Sequence, residues 1–128
     1  MDLLFLLGRI LFGGFLFIMA TNHFAHTADM TGYAQSKGVP MPKQAVLVSG
    51  VVLALGSLSI LLGYQVGLGV LLIALFLIPI NLFMHKFWTL QDPTAQVIDM
   101  TQFFKNMIIL GAALMFLAIP GPWPYSIG

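Results

Sequence analysis

Apolar positions along this chain gather into four long runs, and most polar ones fall in the connectors and towards the ends of the runs. Reading the runs as helices gives spans over residues 3–24, 43–62, 66–88 and 98–119. Each is long enough to cross about 30 Å of hydrocarbon at 1.5 Å per residue. Apolar side chains cover every face of these segments, as expected where lipid and protein interior are equally apolar. The exceptions therefore carry the information. In the first run, Arg9, Gly13 and Ala20 stand at offsets of four and seven and form a seam, with Gly14 beside it. In the second, Ser49, Gly56 and Gly63 recur every seven residues, which predicts a stripe of small residues where another backbone packs closely.

The connectors have their own signals. Residues 26–42 are polar, and Thr27 or Asp29 is placed to cap a short surface helix ended by Gly38. Tyr64 and Gln65 leave room only for a tight turn, which makes the second and third helices antiparallel neighbours. Pro79 lies inside the third run and predicts a kink near residues 75–78. Asp92 and Pro93 read as a turn. The last apolar run, 107–119, is too short to cross alone, so its helix is expected to begin near Val97 or Ile98. That start carries Asp99, Gln102 and Asn106 into the membrane on one stripe, with Lys105 pointing elsewhere and free to snorkel. Pro120, Pro122 and Pro124 end the helix, and Trp123 with Tyr125 are expected at the membrane interface. The fold class predicted is an all-α, up-down antiparallel bundle of four transmembrane helices, forming one domain over residues 1–128.

Composition agrees and excludes several functions. Of the 128 residues, 59% are hydrophobic and 7% charged, and the mean hydropathy is +0.99. Too little polar surface exists to clothe a soluble globule, so the main partner is the lipid bilayer. A net charge of +1 with no basic stripe gives no basis for binding nucleic acid. Cys is absent, which removes disulfides, thiolate metal ligands and thiol redox steps. An acidic start at Asp2 and a long first run argue against a cleaved leader. Lys37, Lys43, Lys86 and Lys105 all belong to the end of the bundle that carries the two long connectors. The positive-inside rule then makes both connectors cytoplasmic, in a cell (inner) membrane.

Asn22, His23, His26, Asn81, His85, Asp99, Gln102 and Asn106 come from helix ends on that same side. If the seams face inward, these groups converge on one polar pocket. Three readings remain open for it. Interfacial His, Asn and Gln can satisfy helix ends and one another. A quinone-like or other amphiphilic headgroup can take hydrogen bonds there, with Phe87 and Trp88 flanking a ring. A metal or haem site would use His23, His26 and His85, but no HxxxH pair or fixed carboxylate partner accompanies them, and none is assigned. Arg9 lies at the opposite end, as a lipid anchor or one half of an ion pair. Its candidate partners there are Asp2, the Tyr64 and Gln65 turn, and the terminal carboxylate of Gly128.

The succession LGRILFGGFLFIMATNHF, a Gly38-Val39-Pro40 connector, SGVVLALGSLSILLG, NLFMHKFW and QFFKNMIILGAALMF resembles the DoxX family of small four-helix membrane proteins over nearly the whole chain. The resemblance implies a four-helix bundle. It also implies a place in membrane oxidoreductase assemblies, including thiosulfate to quinone electron transfer and the handling of oxidative stress. The family often carries a glutamate in the second helix ahead of a glycine pair, where this chain has Leu53, Gly56 and Ser57. With no Cys, the expectation is an accessory or quinone-side subunit, not catalytic alone. The alternative is a small carrier or lipid-interacting homo-oligomer with no redox role.

Overall fold

Five helices build the fold in the computed structural model, which describes residues 1–128. Helix α1 (Asp2–Ala25) is α-helical over Asp2–Arg9, widens to a π turn over Ile10–Gly14 and resumes over Phe15–Ala25. A connector helix, α2 (Thr27–Ser36), follows almost at once. Then come α3 (Pro42–Leu62), α4 (Val66–Met84), a single 3-10 turn at Phe87–Thr89, and α5 (Pro93–Phe116). Four of these segments are long and apolar enough to cross a membrane: Asp2–Ala25, Pro42–Leu62, Val66–Thr89 and Pro93–Phe116.

Neighbouring spans run in opposite directions. Gly13 of α1 meets Ser57 and Leu61 of α3, whereas His23, further along α1, meets the earlier Gly50. Gly56 of α3 meets Gly69 and Ile73 of α4, and Asn81 of α4 meets Asn106 of α5. The core between the spans contains Leu53, Ile60, Ile73 and Ala113, none of them exposed at all. Leu68, Leu71, Ile108 and Met115 point outward, an apolar exterior suited to acyl chains.

The small-residue seams are real but selective. A Cβ on Gly13 would stand 3.0 Å from the Ser57 carbonyl oxygen and the Leu61 nitrogen, so only hydrogen fits where α1 crosses α3. Gly14, its neighbour, has nothing within 4 Å and packs against no other helix. Ser49 is only half-buried, and the close approach belongs to Gly50, where a Cβ would lie 2.6 Å from the His23 Cβ. Gly56 packs as expected. Gly63 ends α3 with a positive φ of 67°.

Other differences have local causes. Helix α5 begins at Pro93, not near Ile98, because the Asp92 carboxylate accepts the Ala95 N–H at 3.0 Å and Pro93 occupies the first helical turn. It ends at Phe116, short of residue 119. Trp123 is buried, with its ring edge-on to Phe5 at 5.0 Å and to Phe116 at 5.8 Å, so it closes the bundle end and is not an interfacial anchor. Tyr125 is exposed.

Candidate functional site

The connector end is organised around Asp99, whose carboxylate is brought into the bundle by the stripe facing of α5. It is the only acid in the chain that is buried, at 3% exposure. Lys37 Nζ donates to Asp99 Oδ2 at 2.6 Å. The Tyr33 hydroxyl approaches Oδ1 at 3.5 Å, and His85 Nδ1 lies 3.4 Å from the same oxygen, both long for hydrogen bonds. Tyr33 on α2 and Lys37 at its C-terminal cap both reach this carboxylate, and so the surface helix is fastened to the last span through one group. Burial pulls the Lys37 ammonium downward, but the hydrogen bond to Asp99 and the charges of Tyr33 and Asp99 outweigh it and hold the group above its ordinary value.

Two turns deeper along α5, the Asn106 amide donates to Asn81 Oδ1 at 2.8 Å, and the Asn81 amide donates to the Phe103 carbonyl at 3.2 Å. Both side chains are buried, and this paired amide link fixes the register of α4 on α5. On α1, His23 is buried with its Cβ against Gly50 and its ring edge-on to Phe76 at 5.6 Å. His23 Nδ1 lies 3.1 Å from the Met19 carbonyl, which assigns the proton of the neutral ring to Nδ1 and leaves Nε2 as an acceptor.

These helix ends enclose a cavity of about 350 Å³ lined by Met19, Asn22, His23, His26, Met30, Phe76, Ile80, His85, Gln102, Lys105 and Asn106. The three histidines, Asn22, Gln102 and Asn106 are thus brought together from α1, α5 and the residues His26 and His85 that follow α1 and α4. Asn81 and Asp99 stand behind this wall as supports for Asn106 and His85. Lys105 does not point away as the stripe suggested, because its ammonium donates to Gln102 Oε1 at 2.6 Å on the cavity wall. Trp88 lies elsewhere. It belongs with Phe87, Phe103 and Phe104 to an edge-to-face aromatic cluster and is 53% exposed. No group of three His or Asp side chains is disposed to hold a metal ion.

From the sequence, Lys37 counted only toward topology and Tyr33 was not singled out. A signal existed: a lone acid facing the bundle needs a cation, and only a few lysines lie on its side.

Arg9 occupies the other end and meets no carboxylate. Its guanidinium is 3% exposed. Nε donates to the Ile60 carbonyl at 3.4 Å, Nη2 to the Leu61 and Tyr125 carbonyls at 2.9 and 3.4 Å, and Nη1 to the Pro124 carbonyl. It also sits 5.8 Å from the Trp123 ring centroid. An anchor or ion pair is therefore replaced by a cap: the cation meets the carbonyl-rich, dipole-negative end of α3 and ties the final residues to it.

The DoxX family model matches residues 4–86, which hold Arg9, His23, Asn81 and His85. The chain belongs to the DoxX family. No curated protein and no solved structure matches it. The part of the site supplied by α5, with Asp99, Gln102 and Asn106, lies beyond the stretch that carries the DoxX match. At the helix position where the DoxX resemblance leads one to expect a glutamate, Leu53 is fully buried and Ser57 donates to the Ala54 carbonyl at 3.1 Å. With no acid there, Asp99 is the one interior carboxylate of this DoxX protein.

Proposed function

We propose that this multi-pass membrane protein is an accessory, quinone-side subunit of a redox assembly in the cell (inner) membrane, its connectors facing the cytoplasm. The polar chamber at the connector end receives a quinone headgroup. The observation that carries the reading is the chamber itself: seven polar side chains at the ends of three spans around a volume in the range of small-molecule sites. The residues fit such a ring. Asn106, Gln102 and the imidazoles offer donors to two carbonyl oxygens, while Phe76 and Ile80 supply an apolar wall. When bound, a quinone supplies a two-electron, two-proton couple. Asp99 then orients His85 through Nδ1, and the other ring nitrogen is free to hold or accept a proton. Lys37 balances the carboxylate charge, so His85 can stay neutral between transfers.

Gentle detergent extraction tests the assembly. Co-purification with a larger flavin, haem or sulfur-handling protein supports it, whereas a homogeneous homo-oligomer favours the carrier or lipid-interacting reading. For the chamber, His85→Ala and Asp99→Asn are expected to weaken binding of a quinone analogue in a protein that still folds. Unchanged binding in both refutes the site.

A further inference from the structure

A second cavity, of about 620 Å³, lies beside the polar chamber between α2, α3 and α4. Thirteen of its eighteen lining residues are hydrophobic, among them Val46, Val52 and Leu75. His23, Met30, Phe76 and Ile80 line both spaces. The two cavities therefore share a wall, and that wall is unequal in stiffness. His23 is held by Gly50 and Phe76, whereas Met30 carries a flexible thioether on the connector helix that can shift to open a passage.

The lining restricts what fits. An apolar cavity of this size suits a hydrocarbon chain, and a chain inside it is withdrawn from neither lipid nor water at electrostatic cost. Its only formally charged lining residue is Asp29, whose carboxylate repels a phosphate group. The donors and acceptors lie next door in the polar chamber, whose one cation, Lys105, is engaged with the Gln102 amide oxygen. A phospholipid brings a second acyl chain, for which the single apolar cavity offers no separate seat.

We propose that the two cavities are one site for a neutral headgroup bearing a single hydrocarbon chain, with the ring in the polar chamber and the chain in the apolar cavity. The occupant is an isoprenoid-type quinone, an assignment that rests on the headgroup reading above and adds the seat of its tail. Met30 and His23 mark the passage between ring and chain.

The test uses the full chain in phosphatidylcholine vesicles, with a benzoquinone carrying a decyl chain that ends in a photoreactive diazirine. Labelling is expected on peptides containing Val46, Val52 or Leu75. Excess tail-less benzoquinone is expected to reduce it. Ser49→Phe, which fills the apolar cavity, is expected to cut that labelling by about tenfold while leaving tail-less ring binding unchanged; melting behaviour reports whether this variant folds, and Val52→Met is the milder substitute. If ring binding persists but label falls only on lipid-facing residues such as Leu68 and Leu71, the tail seat is wrong and the headgroup reading stands. If the tail-less ring neither binds nor competes, the headgroup reading fails and the joined site fails with it. A phospholipid carrying the same diazirine that labels these peptides equally well also overturns the proposal.

Discussion

Lys37 and Asp99, on the connector helix and the last span, are joined nitrogen to oxygen at 2.6 Å, with the carboxylate almost wholly buried and the ammonium still partly in water. This contact fixes α2 over both cavities, because Met30 and Tyr33 travel with Lys37 on that helix. Lys37→Met leaves a buried carboxylate with only the long contacts from Tyr33 and His85. The expected cost is about 1–3 kcal/mol, together with faster amide exchange across α2. Unchanged exchange in Thr27–Ser36 would falsify the fastening role.

The same pair has a defined pH dependence. Because the Lys37 value is raised in the folded protein, its contribution is fully present below the ordinary lysine value of 10.5 and is lost only as pH rises through the higher folded value. The NMR shift of Lys37 Cε is therefore expected to titrate above 10.5. In Asp99→Asn the midpoint should fall, and a midpoint that stays put rules out the pairing in solution.

Arg9 should not tolerate its nearest chemical substitute. Lys offers three donors from one nitrogen and cannot span carbonyls on α3 and on the final residues together. Arg9→Lys is expected to destabilise by about 1–3 kcal/mol and to expose the segment after Phe116 to added protease. Equal melting and equal cleavage in the two proteins would contradict the cap.

Gly50 and Gly14 form a matched pair of tests. Gly50→Ala drives a methyl onto His23 and is expected to cost about 1–3 kcal/mol and to disturb the chamber wall. Gly14→Ala meets nothing within 4 Å and is expected to be neutral or to stabilise by up to about 1 kcal/mol. Thermal unfolding in one detergent ranks them, and the reverse order would show that the helices do not meet as described.

Much of the fold was legible because lipid imposes a simple demand: long apolar runs must be helices. The connector helix was legible only in outline: no side chain caps its start, where the Thr27 hydroxyl donates back to the His23 and Phe24 carbonyls in place of the expected cap. Boundaries were less so, although the Asp92 and Pro93 pair that reads as a turn is also an N-cap followed by a first-turn proline. The convergence of His23, His26, His85, Gln102 and Asn106 followed from counting which helix ends share a side. What sequence could not supply were contacts across long separations. The neighbourhood of Arg9 was anticipated in the Tyr64 turn, but its acceptors are backbone carbonyls, which leave no mark in residue identities. The apolar cavity depends on where α2 settles, and one of the contacts that hold it there joins Lys37 to Asp99 across 62 positions.

The Arg9 cap also has a consequence for biogenesis. Synthesis delivers Arg9 to the membrane long before its acceptors exist, and an unpaired arginine in a span costs about 2.5–3.5 kcal/mol on insertion scales. Ile60 and Leu61 relieve part of that cost once α3 is in place, and Pro124 and Tyr125 complete the cap only when the segment after α5 has folded back onto α3. The guanidinium is therefore part-paired between those two steps, and the order in which the spans insert sets how long it stays so.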